Sequence, residues 1–452
     1  MDENLNPKLS VEPVYDVDDK PPLHVAIPLG LQHVLAMFAG NVTVPIIIAG
    51  VLGLSLPERA FLIQCAMFVA GVTTLLQINR IGPIGSRLPV VQGTSFGFLP
   101  TARAIGAQFG LSGILGAAFI GGIFQMFLGF FLKPIRKVFA PIVTGTVLLA
   151  IGLSLLPAGI NHAAGGAGSA TFGSLTNLAL AGIVLAVIIF CNQYLKGFAS
   201  MASILIGIVV GYVLAFPMGV ITWEAFSAAV GNARWVSFPM PLVHKLTFHW
   251  SAIAAMLIMY VVTTVETVGD ISGITMGGAG REATDKELSG GVMADGLASS
   301  FAALFNALPN TSYSQNVGII SFTGVMSRYV VGIGAIFLII AGMFPKLGAI
   351  IAVMPSSVLG GAAIIMFAMI ATSGIVLISQ DELNRRNLLV VAVALGLGLG
   401  LSQVPGAMVN FPDEVQMIFA GSGIVVSCLI ALLLNLILPK DTGREQRKDK
   451  VA

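Results

Sequence analysis

Apolar runs of about 20 residues recur from near Pro28 to near Pro439, separated by short polar or charged segments. Runs of that length cross a bilayer as helices, because every backbone polar group is then satisfied within the segment. Read in order, they predict spans at about 24–54 and 60–77, then a fourth ending at Lys133 and a fifth opening with Ala140 and Pro141. A sixth and seventh follow at about 175–192 and 202–220. After a mixed segment, about 222–248, an eighth span starts at Trp250. A charged stretch from Arg281 to Glu287 leads into a ninth, and the last apolar run ends near Pro439.

Two runs break the pattern. The stretch 88–98 contains Pro89 and Gly93, which disfavour a continuous helix, so it reads as a short extended piece followed by a short helix. The stretch 311–324 sets Tyr313, Ser314, Gln315, Asn316 and Thr323 in apolar surroundings. Irregular polar backbone at membrane depth is tolerated only where it is buried in protein or lines a cavity. Counting these as spans three and ten gives fourteen crossings, seven in each half. The halves echo each other: a polar first span, a broken third, and a fifth that opens with Pro141 and Gly145 in one half and Pro355 and Gly360 in the other. An odd number of spans per half makes the repeats inverted, and paired broken spans point to a transporter's midplane site. The expected fold is an all-α integral membrane protein of fourteen transmembrane segments in a 7+7 inverted repeat. Spans three and ten carry short extended strands. The expected units are a disordered cytosolic tail (1–22), the first repeat (23–221), a connecting segment (222–248), the second repeat (249–439) and a second cytosolic tail (440–452).

Composition agrees with a membrane protein. The 452 residues are 56% hydrophobic and 10% charged, against about 25% charged in soluble domains. With both termini cytosolic, the outer side keeps only Arg59, Arg103, Arg234, Lys245 and Lys346 among the Lys and Arg residues, as the positive-inside bias requires. The net charge of +2 is dispersed, so nucleic acid is not an expected partner. Cys65, Cys191 and Cys428 lie singly inside apolar runs and read as small core residues. No Walker loop, nucleophile elbow or metal-ligand cluster occurs, so neither an enzyme nor an ATP-driven pump is expected, and no cofactor or metal.

The chemistry concentrates on a few buried polar positions. Glu266 and Asp270 lie four apart and share a helix face. A charged Asp at a helix centre costs about 2.5–3.5 kcal/mol on insertion scales, so such groups face a cavity, a partner or a proton path. Two acids this close disfavour being charged together, which makes them candidates to load and release a proton; the bland reading of Asp270 is a pin between helices. Asp295 is a third buried acid, or else a helix-start residue near the cytosolic face. His33 could relay a proton, hydrogen-bond to one of the acids, or simply tie span one to the core. Helix starts near Ser95 and Gln315 present unpaired N–H groups suited to polar or anionic ligand edges. Phe96 beside one start could stack on a flat ring. Gln315 and Glu266 together offer amide and carboxylate groups to a purine or pyrimidine edge.

The stretch Gln315-Asn-Val-Gly-Ile-Ile-Ser-Phe-Thr-Gly324 resembles the signature of the nucleobase–ascorbate transporters, Gln/Glu-Asn-x-Gly-x-x-x-x-Thr. Gly290–Gly296, Glu266–Ile271, Gln32-His33 and Gln92–Phe96 also look like blocks of that family, in the right order. The resemblance runs from Asp19 to about Pro439, with the bacterial xanthine and uric acid permeases as the most similar branch. It implies core and gate domains, with spans one to four and eight to eleven in the core. It also implies proton-coupled uptake of a purine by an elevator-type motion, in a homodimer in the cytoplasmic membrane. Carried over by residue, Glu266 and Gln315 would bond the base and Phe96 would stack on it. Backbone near Ser95, Gly97, Asn316 and Val317 would complete the pocket, with Asp270, Asp295 and His33 as a proton-linked or supporting network. Val317 departs from the second Asn of many relatives, and Ser95 is a small hydroxyl where some xanthine carriers place a larger amide, so xanthine and urate both stay open. The alternatives are a uracil or other nucleobase permease, or an anion carrier of sulfate or bicarbonate type. An ionised Glu266 in the pocket argues against the anion carrier.

Overall fold

The computed structural model describes residues 13–135, 140–412, 415–420 and 422–439. The first half contains α1 (Leu23–Val51), α2 (Leu56–Ile78), β1 (Gln92–Thr94), α3 (Leu99–Phe130), α4 (Leu132–Ile135), α5 (Pro141–Ala163), α6 (Leu175–Tyr194), α7 (Phe198–Met201) and α8 (Ser203–Ala215). The connecting segment is not a plain loop, since it forms α9 (Trp223–Asn232). The second half contains α10 (Trp250–Ala279), α11 (Asp285–Leu304), β2 (Asn310–Ser312), α12 (Ser314–Thr323), α13 (Arg328–Gly342), α14 (Pro345–Ala352), α15 (Ser356–Ile378), α16 (Arg385–Gln403) and α17 (Gly423–Ile437). Among the described residues, eight helices are long and apolar enough to cross a membrane, and α13 with α14, bent by 81°, makes a ninth. α3 is two helices joined at Gly110, where φ of 66° leaves the helical region; glycine adopts that conformation at little steric cost. Its first part, 99–109, follows the broken third run, so the helix starts at Leu99 and not near Ser95, whose N–H is instead taken by Pro309 O (2.9 Å).

Both broken runs form strands, and they meet. β1 and β2 pair antiparallel, with Gln92 opposite Ser312, Gly93 opposite Thr311 and Thr94 opposite Asn310. A two-stranded ribbon this short is not stable alone. Neighbouring helices supply its missing bonds. Gln92 N donates to Thr74 Oγ1 of α2 (2.9 Å) and Thr94 N to Asn41 Oδ1 of α1 (2.8 Å). Asn310 N donates to Ser299 Oγ of α11 (3.1 Å), and Ser299 Oγ in turn donates to Asn310 O (2.9 Å). Polar residues embedded in apolar helices thus make strands tolerable at membrane depth. Around this centre the helices approach closely through small residues. Gly145 of α5 packs on Gly374 of α15 so tightly that a Cβ would stand 2.6 Å from Gly374 O.

Part of the segment expected to be a disordered tail is instead bound. Val14 N donates to Gly324 O (2.8 Å), Met326 N to Tyr15 O (2.8 Å) and Arg328 N to Val17 O (3.1 Å). α12 ends at Thr323 with Gly324 as its cap, and the link to α13 presents main-chain groups that this strap satisfies. Asp18 adds contacts to Arg328 Nε (2.7 Å) and Arg87 Nη2 (2.9 Å). Residues 1–12 and the C-terminal tail lie outside the described residues.

The Arg328 hydrogen bond, with Arg87 beside it, holds the Asp18 carboxyl below its ordinary value. A carboxyl lowered in this way supports the folded strap above its unfolded value, and that support fades as pH falls through the folded value. Asp18 is 59% exposed, so solvent screens the pair. Asp18→Asn is therefore expected to lower stability by less than about 1 kcal/mol at pH 7, because the main-chain bonds remain. Melting curves at pH 7 and in acid check this, and the small difference from wild type should vanish in acid.

Candidate functional site

The strand crossing presents one small cavity. Ser95, Phe96 and Gly97 line it from the first half, with Glu266 of α10, Tyr313 that follows β2, and Gln315 in the first turn of α12. Ile151 of α5 and Ile370 of α15 close it. Its volume is about 20 Å³, too little for a ring system. Beside it, sharing Gln315, open two larger cavities of about 440 and 540 Å³. The first of these runs along α10 and α15 to Gly277 and Gln380, near the helix ends that precede the Arg281 and Asp381 loops.

Glu266 stands out chemically. It is buried, and its Oε2 has no hydrogen-bond partner. A Cβ placed on Gly97 would come 3.8 Å from that oxygen and 3.4 Å from Ser95 Oγ, so the absence of a side chain at Gly97 leaves the carboxylate face open. A buried polar atom left unpaired costs about 1–3 kcal/mol, a cost a hydrogen-bonding ligand would remove. Phe96 meets Phe367 of α15 edge to face, with centroids 4.9 Å apart. Its other side meets Gly40 of α1, where a Cβ would lie 3.1 Å from Phe96 Cε2 and 2.9 Å from Tyr313 Cε1. Gly40→Ala is expected to displace both rings at a cost of about 1–3 kcal/mol. Ligand affinity should fall roughly tenfold, measured by binding to the purified protein.

The other expected residues separate into supports. Asp270 accepts from Ser312 Oγ (2.6 Å) and Ser314 Oγ (2.7 Å), fixing the β2–α12 junction. Asp295 is a hub beneath the strands: Gln92 and Thr267 donate to it at short range, Gln77 Nε2 at 3.1 Å, and Thr311 Oγ1 and Ser312 N more weakly at 3.3 and 3.4 Å. Asn316 does not line the small cavity. Its Nδ2 donates to His33 Nδ1 and to His33 O, each at 3.0 Å, which makes Nδ1 the accepting nitrogen. His33 therefore meets the signature helix rather than a carboxylate, because an amide donor reaches it first. Val317 also leaves the small cavity and lines the 440 Å³ one, against Gly273.

Sequence reasoning gave no site role to several groups. Tyr313 hydroxyl donates to Thr94 O (2.7 Å) and locks the two broken runs together. Gln77, Thr267 and Gln92 hold Asp295; a buried Gln in an apolar run was a readable signal. Phe367 and Ile370 carried none, being apolar residues in an apolar span. Among the described residues no cluster could hold a metal ion, and the three cysteines are free and buried.

A helical membrane bundle in which two interrupted segments meet beside an unpartnered acid is the architecture of a secondary carrier. The comparisons are specific. The profile described as Permease family matches residues 24–407. The xanthine permease of Bacillus subtilis is 38% identical over 416 residues, 90% of this chain and 92% of that protein. The uric acid permease PucK of the same organism is 37% identical over 412 residues, covering 90% and 94%. The transmembrane domain of the cyanobacterial bicarbonate transporter BicA shares the fold alone, with a TM-score of 0.58 at 13% identity over 94% of this chain and 100% of that one. The chain belongs to this permease family, the nucleobase–ascorbate transporters, and is a multi-pass membrane transporter rather than an enzyme.

Proposed function

We propose that the chain is a proton-coupled symporter that imports an oxidised purine, xanthine or uric acid, across the cytoplasmic membrane. The observation that carries this reading is the unpartnered Glu266 carboxylate beside Phe96 and Gln315. An oxopurine edge offers ring N–H donors to a carboxylate and carbonyls to an amide, and its flat ring suits Phe96. The small cavity must widen to admit it. Fourteen segments in two inverted sevens, with both termini cytosolic, would let a core holding both broken spans slide against a gate built on α5 and α15. That is an elevator motion, in a homodimer. Backbone at Ser95 and Gly97 would frame the base, with Asn316 and Val317, which lie outside the small cavity, joining them only as it widens. Asp270 and Asp295, with His33, would support the site or carry the proton. Xanthine and uric acid permeases among the relatives support the substrate class.

The test is uptake of labelled xanthine and urate by cells expressing the chain, with and without a protonophore. Uptake that collapses with the proton gradient is expected. Uptake that needs sodium and ignores the protonophore would overturn the coupling, and anion currents without purine uptake would overturn the substrate class.

A further inference from the structure

A further cavity, of about 510 Å³, lies on the far side of the site. Position along α5 fixes this arrangement. Leu148 lines the 440 Å³ cavity, Ile151 the small central one, and Ser154 to Asn161 the far one. On the other wall Gly97 belongs to the centre, while Leu99, Pro100 and Arg103 line the far cavity. About one helical turn of buried side chains, Phe96, Leu99, Leu155 and Phe367, separates the two spaces.

The far cavity is not merely apolar. Arg103 lines it, is exposed, and pairs with no acid among the described residues. Arg103 and Arg59 both lie within electrostatic reach of His162, the residue after Asn161 in α5, so two guanidinium groups approach this end. Ser154 Oγ is buried with no hydrogen-bond partner. Asn161, Ser402 and Gln403 add hydroxyl and amide groups.

We propose that this vestibule is a first binding station for an oxopurine in its anionic form, with Arg103 as the charged ligand and Ser154 and Gln403 as edge partners. The inference rests on the purine reading and on the vestibule facing outward. Its chemistry follows from the two ends of the path. Oxopurines such as urate carry a negative charge on the ring near neutral pH, and a cleft with one sign of charge raises the local concentration of the opposite sign. Glu266 would repel the same anion. The charge is therefore neutralised before the base passes Phe96: a proton from the outer solution bonds to the deprotonated ring nitrogen, and the neutral base advances. Arg103 then selects for substrates able to exist as anions, and the vestibule is where anion and proton meet.

The test is initial-rate uptake of labelled urate and of xanthine by cells carrying wild type, Arg103→Gln or Arg103→Lys. At pH 6 xanthine is mostly neutral. For Arg103→Gln the KM for urate should rise about tenfold at low ionic strength, with kcat within about twofold. The difference should shrink at high salt, xanthine at pH 6 should be nearly unaffected, and Lys should restore most of the urate affinity. An unchanged urate KM in a transporting protein overturns this inference alone. So does an equal loss for both purines, or a Lys variant as poor as Gln. If wild type takes up neither purine, the functional reading falls and this inference with it.

Discussion

Glu266→Gln is expected to lower purine affinity at least about 100-fold while leaving the protein as heat-stable as wild type, or more so. The two halves of this expectation have separate causes. A carboxylate accepts two N–H bonds from a base edge, whereas an amide can accept at only one of its two atoms and presents a donor at the other. Hydrogen bonds to a charged group are worth about 1.5–3 kcal/mol each. Losing one and opposing a donor with a donor therefore costs about 3 kcal/mol, or roughly 100-fold. The empty protein gains nothing from the charge: Oε2 is buried with no partner, and Asp270 stands on the next turn of the same helix. Replacing a buried carboxyl whose Oε2 has no partner by an amide of the same shape breaks no bond in the empty protein. Direct binding of labelled xanthine or urate to purified protein, with a melting curve of the same sample, reads both. Affinity within tenfold of wild type would remove Glu266 from the pocket; a collapsed melting point would make it a structural acid.

The part of this architecture that could be read from the sequence is the part written in polar residues. The positions of the eight long apolar helices followed from hydropathy, because lipid leaves the backbone few options. The broken runs 88–98 and 311–324 announced themselves through Pro89, Gly93 and a cluster of hydroxyls and amides, and the structure pairs them as β1 and β2. Their pairing register was not legible, because it is set by Asn41, Thr74 and Ser299, which reach the strands from three separate helices. The roles of the network residues were half legible. Buried Asp295 and His33 were recognisable as paired groups, but which partner each takes depends on helix rotation. His33 finds Asn316 and Asp295 finds Gln92 for that reason. The apolar wall, Phe367 and Ile370, was invisible, since nothing in an apolar span marks which residue faces a cavity. The bound strap at residues 14–19 was hidden for the opposite reason: its acidic sequence, flanked by Pro13 and Pro21, looks disordered until the edge at Gly324–Arg328 supplies a partner.

Asp295→Ala is expected to destabilise the protein by about 4 kcal/mol and to abolish purine binding, a larger structural effect than any change at Asp270. The reason lies in which donors are left behind. Gln77 Nε2 has a second acceptor at Gly291 O (3.2 Å), and Thr267 Oγ1 has one at Thr263 O (2.9 Å), so those two lose little. Gln92 Nε2 loses the Asp295 carboxylate, to which it donates at short range, and Ser312 N loses its weaker bond. Both groups are buried in the strand crossing. Orphaned donors of this kind cost about 1–3 kcal/mol each, more when the lost partner is charged. Asp295→Asn should fall between Ala and wild type, because its one oxygen can serve Gln92 while its amide opposes Ser312 N. Asp270→Asn should cost less than about 1 kcal/mol. Its partners are the hydroxyls of Ser312 and Ser314, which can rotate and accept from the new amide. The predicted order of melting points is therefore wild type, then Asp270→Asn, then Asp295→Asn, then Asp295→Ala. An Asp295→Asn variant that melts with wild type would mean that the hub does not hold the strands. Loss of purine binding in Asp270→Asn without loss of stability would move that acid from the scaffold into the proton path.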